Sequence, residues 1–284
     1  MPRDVVLAET AIRHAPTMSL LAHPRAAPKL LLFDWHGTLV DTHDAVYYAV
    51  DEVLPKLADL GLLDRVIKIE DSKTLEDARL VKYVLEYRQL HPKIKAARKV
   101  SRTDIFELLF GTDEEAKHLA HVEFHKAYRN HYGHVTPFED KFADVLAELK
   151  SFGLVLGVLT NRDREFMEHE IRAVGESGWD HFFSTMVCGD DVARRKPAPD
   201  LILRAVENVG LEPGPGTWYI GDSTTDTIAA KDAGVTNIFY NGAHWDQQWL
   251  DKIFPGTVRH PHRPDAVVKD SAELLELVKK LIDR

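Results

Sequence analysis

The stretch Lys29–Thr42, KLLLFDWHGTLVDT, decides how the rest of the chain is read. Leu30 to Phe33 form an uninterrupted apolar run, the pattern of a strand buried on both faces of a parallel sheet. The run ends at Asp34, and Gly37 and Thr38 follow within a turn. Open α/β sheets hold their ligands outside the carboxyl ends of their strands. An ionised carboxylate at that place needs a cation or a nest of donors, because burying an unpaired charge is costly.

Working outward, the same strand pattern recurs after a long gap. Leu154–Leu159 ends in Thr160–Asn161, and Phe182–Cys188 leads into GDDVARRKPAPD. Thr217–Ile220 ends in GDSTTD, Val235–Tyr240 gives a fifth strand, and Ala266–Val268 is a short further candidate. Helical spacing fills the intervals, at Phe142–Leu149, from Asp163 onward, at Asp200–Val209, at Thr224–Ala233 and at Ser271–Ile282. This alternation predicts an α/β fold with a doubly wound parallel sheet. The interval 44–134 carries helical periodicity only, as at Val46, Val50, Val53, Leu54 and Leu57. It reads as an inserted all-helical domain. The expected organisation is a tail over 1–28, an α/β core over 29–43 and 135–284, and the insert over 44–134. Asn241–Pro264 reads as aromatic and irregular.

With 44% hydrophobic and 29% charged residues among 284, the composition is that of a globular protein with a sizeable core. A net charge of −9 argues against nucleic acid or an anionic membrane surface as partners. Cys188 is the only cysteine, so no internal disulfide forms, and a reducing, cytoplasmic setting is expected. No apolar run has the length of a membrane span, and the tail lacks the apolar core of a secretory signal. The sequence does not set the oligomeric state.

The strand ends carry the chemistry. Thr160 and Asn161 offer a hydroxyl, an amide and backbone N–H groups at a helix start, an anion site. Lys196 supplies a cation. Asp222 and Asp226 lie four residues apart at a strand-to-helix turn, and with Asp34 they suit a hard divalent ion such as Mg²⁺.

DWHGTLVD, LTN, RRKPAPD and GDSTTD together resemble, in order, the four motifs of the haloacid dehalogenase-like (HAD) hydrolase superfamily. The position of the helical block is similar to the subgroup with a type 1 cap, which includes phosphoglycolate phosphatases and phosphonatases. The resemblance implies a five-stranded sheet of order 5-4-1-2-3, with the helical block as a cap over the strand ends. It also implies a Mg²⁺-dependent phosphatase acting on a small phosphorylated substrate. Asp34 would be the nucleophile that forms an aspartyl-phosphate. Gly37, Thr38, Thr160, Asn161 and Lys196 would hold the phosphoryl group. Asp34, the carbonyl of His36, Asp222 and Asp226 would surround the metal.

One position departs from the family pattern. Where most of these phosphatases carry a second Asp as general acid and base, this chain has His36. An imidazole titrates near neutrality and can fill both roles; it can also contribute its carbonyl alone. Two other readings follow from the substitution. Phosphonoacetaldehyde hydrolases have a DWAGT motif and a Schiff-base lysine in the cap, where this chain offers Lys56, Lys68, Lys73, Lys82, Lys93, Lys95 and Lys99. A catalytically retired module that binds a phosphorylated ligand is the third. The His121/His125 pair and the basic stretch from Lys82 to Arg102 read as ordinary helix faces, and Cys188 as a small buried residue.

Overall fold

The computed structural model describes residues 24, 26–72, 74–97, 102–258 and 260–283. Its strands are β1 (Leu30–Asp34), β2 (Val40–Asp41), β3 (Thr136–Pro137), β4 (Val155–Leu159), β5 (Thr185–Val187), β6 (Thr217–Gly221), β7 (Thr236–Tyr240) and β8 (Ala266–Val268). The helices α1 (His43–Val53), α2 (Leu75–Tyr87), α3 (Pro92–Ala97), α4 (Arg102–Phe110) and α5 (Glu114–Tyr128) fall between β2 and β3. Then come α6 (Phe142–Ser151), α7 (Arg164–Ala173), α8 (Asp200–Asn208), α9 (Thr224–Asp232), α10 (Gln247–Ile253) and α11 (Ser271–Ile282).

β1 is central, paired in parallel with β4 on one side and β6 on the other. Its alternate residues feed two separate cores. Leu31 and Phe33 pack with Leu146 of α6 and Val278 of α11, while Leu30 and Leu32 pack with Ile202 of α8 and Ala229 of α9. Each of these four β1 side chains is fully buried, worth roughly 1.5–3 kcal/mol apiece. That two-sided burial is why β1 reads as a continuous apolar run.

The sheet has six strands in the order β5-β4-β1-β6-β7-β8, which corrects the expected count of five: β1, β4, β5, β6 and β7, taken as first to fifth, lie in the order 5-4-1-2-3, and β8 extends it at the β7 edge. The added edge strand β8 pairs with β7 from Ile238↔Ala266 to Tyr240↔Val268. It is the short candidate read at Ala266–Val268. The third expected strand is also shorter than its apolar run, because Asp180–Phe182 forms a helical turn before β5. Asn241–Pro264 is not wholly irregular: Asp246 caps α10, and Leu250 and Phe254 pack on Phe239.

Between β2 and β3 the described residues form helices joined by turns and loops, with no strand among them. They build a core of their own around Val50, Leu57, Val84, Phe106 and Phe124, joined by Phe166 of α7. The two chain crossings into this insert are tied by the antiparallel β2–β3 pair, Val40↔Pro137 and Asp41↔Thr136. Most of the tail, 1–23 and 25, lies outside the described residues; at its end the Ala26 carbonyl accepts the Trp218 indole N–H at 3.2 Å. Among the described residues no helix is long and apolar enough to cross a membrane.

Candidate active site

Because β5, β4, β1 and β6 are parallel neighbours, the loops after them emerge side by side. Asp34 closes β1, Thr160 follows β4, Lys196 comes from the loop after β5, and Asp222 follows β6. Lys196 Nζ is buried and uses its three donors on Asp34 Oδ1 (2.6 Å), Asp226 Oδ1 (2.7 Å) and the Tyr219 hydroxyl (2.9 Å). Tyr219 in turn donates to Asp226 Oδ1 at 2.8 Å. The other oxygen of Asp226 accepts the Ser223 backbone N–H at 3.1 Å and its hydroxyl at 2.5 Å, closing a capping box on α9. Asp226 therefore anchors Lys196 and the start of α9 with both of its oxygens. Asp222 carries a lighter load, a 3.5 Å bond from the Thr38 hydroxyl.

One oxygen from each of Asp34, Asp222 and Asp226 lies within 4.8 Å of the others. Burial pushes the Asp34 carboxyl up to about 7, against the pull of Lys196 and with Asp226 adding to the rise. Burial, Asp34 and Asp226 hold Asp222 well above the usual carboxylate range. Three carboxylates against one ammonium leave this buried cluster short of positive charge, and its donors are all hard oxygens. A divalent cation of the Mg²⁺ kind fits that deficit, and Asp34 and Asp222 have the oxygens to receive it. Gly37 makes room beside them. Its φ is +80°, and a Cβ there would stand 2.4 Å from Asp222 Oδ2.

His36 sits in a shell of its own. Its Nε2 is 2.8 Å from Glu170 Oε2, and its Nδ1 is 3.5 Å from the Thr160 hydroxyl. Glu170, on α7, is fully buried and also accepts the Trp35 indole N–H (2.8 Å) and the Tyr128 hydroxyl (2.7 Å). Burial alone would raise Glu170, but His36, Arg162 and the Tyr128 bond outweigh it and hold the carboxyl at about 2. Burial and the nearby Arg162 guanidinium lower His36 to about 4, with Glu170 pulling upward. A neutral imidazole thus faces an anionic Glu170 at neutral pH.

The other expected residues fall around this centre in different ways. Thr160 is buried and its hydroxyl accepts the Arg162 N–H at 3.1 Å. The Asn161 side chain is committed to the Lys196 backbone, donating to its carbonyl at 3.0 Å and accepting its N–H at 2.8 Å. Asn161 therefore acts on the site by fixing the Lys196 loop. His244 and Trp245 line a cavity of about 560 Å³ together with Gly37, Asp222, Phe138 and Tyr240. In the insert, Lys56 pairs with Glu123 at 3.0 Å and Lys95 with Asp51, while Lys73, Arg98 and Lys99 lie outside the described residues. His121 packs edge-on against Phe106, and Cys188 is buried.

Glu170, Tyr128 and Tyr219 were not singled out by sequence reasoning. A signal for Glu170 exists: it shares the apolar stripe of α7 with Phe166, Met167 and Ile171. A glutamate on such a stripe requires buried partners.

These motifs, on this sheet, identify the class. The family described as haloacid dehalogenase-like hydrolase matches residues 31–240, and the chain belongs to it. The phosphoglycolate phosphatase of Shigella sonnei is 30% identical over 213 residues, covering 72% of this chain and 78% of that protein. A candidate pyrophosphatase, PpaX, of Clostridium perfringens is 26% identical over 253 residues, covering 89% and 98%. Among solved structures, a candidate haloacid dehalogenase-like hydrolase of Bacteroides fragilis superposes with a TM-score of 0.61 at 20% identity, covering 87% of this chain and 99% of that one. The chain is a hydrolase of the phosphatase type.

Proposed function

We propose that the protein is a Mg²⁺-dependent phosphatase that hydrolyses a small phosphomonoester through an aspartyl-phosphate on Asp34. The observation that carries this reading is the buried Asp34–Lys196 pair at 2.6 Å beside Asp222. In this reading the pair supplies the nucleophile and a phosphoryl-neutralising cation, and Asp222 supplies an open carboxylate beside them. A carboxylate of Asp34 attacks phosphorus, the ester P–O bond breaks, and the leaving oxygen takes a proton from the imidazolium form of His36, which a bound phosphoryl dianion favours over the neutral resting ring. Water then attacks the phosphorus, giving its proton to His36 while the bond to Asp34 breaks and the carboxylate is restored. Thr160, Lys196 and the backbone N–H groups around Gly37, Thr38 and Asn161 hold the phosphoryl oxygens.

The donors for Mg²⁺ are Asp34, the His36 carbonyl and Asp222, with Asp226 holding Lys196 in place beside them. Bound there, the ion offsets repulsion between an anionic nucleophile and an anionic substrate. The helical insert over 44–134 acts as the cap that selects the leaving group and excludes water. The phosphoglycolate phosphatase relatives make a small phosphorylated carboxylic acid the first substrate class to assay.

Phosphate release from a panel of phosphoesters, with Mg²⁺ and with chelator, tests the reading. Release should depend on the metal and fall on the order of a thousandfold or more in Asp34→Asn. Undiminished release in that variant, or in chelator, would overturn it.

A further inference from the structure

Glu170 has no part in the steps above, yet the fold buries its charge completely and gives it three donors. A buried carboxylate is rarely the most stabilising choice on an apolar helix face, where Leu or Met would fill the space. Its bonds indicate what it does. The Trp35 indole nitrogen and His36 Nε2 both lie 2.8 Å from the same oxygen, Oε2. Indole N–H only donates and an ionised carboxylate only accepts. The imidazole nitrogen on that oxygen must therefore carry its hydrogen. That leaves the lone pair on Nδ1, the nitrogen 3.5 Å from the Thr160 hydroxyl.

We infer that Glu170 is a positioning residue for His36, holding it in the Nε2–H form with the Nδ1 lone pair turned to the phosphoryl site. The inference rests on the phosphatase reading above and deepens it. As water attacks phosphorus its proton passes to Nδ1, and the ring becomes a cation with a fixed anion behind it. Trp35 holds Oε2 from the β1 loop, and Tyr128 holds Oε1 from α5 of the insert. The carboxylate that orients the ring is therefore fixed from α7, the β1 loop and α5 together.

The test is a long-range ¹H–¹⁵N spectrum of the full chain with Mg²⁺, ¹⁵N-labelled at histidine and with the ring neutral. His36 is assigned among the 15 histidines by its loss in His36→Asn. A proton on Nε2 is expected; a proton on Nδ1, or an even mixture, would overturn the inference. The second arm is Glu170→Gln. The Trp35 N–H keeps the amide oxygen toward the ring, so the Nε2–H form persists while the anion is lost. We expect kcat to fall about tenfold or more with KM within about twofold. An unchanged kcat would reduce Glu170 to a packing group and overturn the role. A chain with the Nε2–H form intact but no phosphate release would support the orientation and count against the phosphatase reading, so the two failures are distinct.

Discussion

Gly37 shows how closely the site is drawn. Its left-handed backbone and the 2.4 Å approach that a Cβ would make to Asp222 Oδ2 leave no room for alanine. Gly37→Ala should cost about 1–2 kcal/mol of stability from the backbone alone. It should also push Asp222 away from the metal position. The expected outcome is a higher Mg²⁺ concentration for half-maximal activity, read by titration; unchanged Mg²⁺ dependence would contradict the placement of Asp222. Cys188 gives a second residue-scale prediction. Burial pushes its thiol up to about 12, so below that pH the thiolate is scarce as well as inaccessible. The native protein should react with a disulfide reagent at neutral pH only as fast as it unfolds, and at once in denaturant.

At the scale of elements, β1 and the loop after it support both the fold and the chemistry. Leu32 is fully buried against α8 and α9, and Leu32→Ala should cost about 2–5 kcal/mol in a denaturant titration. The bond from Tyr128 on α5 to Glu170 on α7 links the insert to the core. Tyr128→Phe should cost about 1–3 kcal/mol by leaving a buried carboxylate short of a donor. Much of this level was legible in the sequence because a strand buried on both faces writes itself as an apolar run with a polar end. Asp34, Thr160, Lys196 and Asp222 could each be read from such an end. Short elements gave weaker signals: β8, with three residues, could be read only as a candidate at Ala266–Val268, and α10 has seven in an aromatic-rich segment that read as irregular. Glu170 stayed hidden for another reason. Its partners Trp35 and His36 are 135 and 134 positions away, and only the packing of α7 on the sheet brings them together.

For the whole molecule, the net charge of −9 and the cluster of three carboxylates, two of them buried, make the same point from two directions. The fold gathers negative charge where an anionic substrate has to bind, and a cation reconciles the two. Mg²⁺ should accordingly stabilise the folded chain by about 2.7 kcal/mol at a hundredfold excess over its Kd. A thermal scan with and without chelator should show that rise, and Asp222→Asn should reduce it. The central claim is that Asp34 is the nucleophile that carries the phosphoryl group, and one measurement addresses it directly. The protein is quenched in acid during turnover of a phosphoester and treated with borohydride, which reduces an aspartyl-phosphate to homoserine. Peptide mass spectrometry should then find homoserine at position 34. An unmodified Asp34 under turnover, or a reduced adduct on a lysine of the insert with an aldehyde substrate, would contradict it.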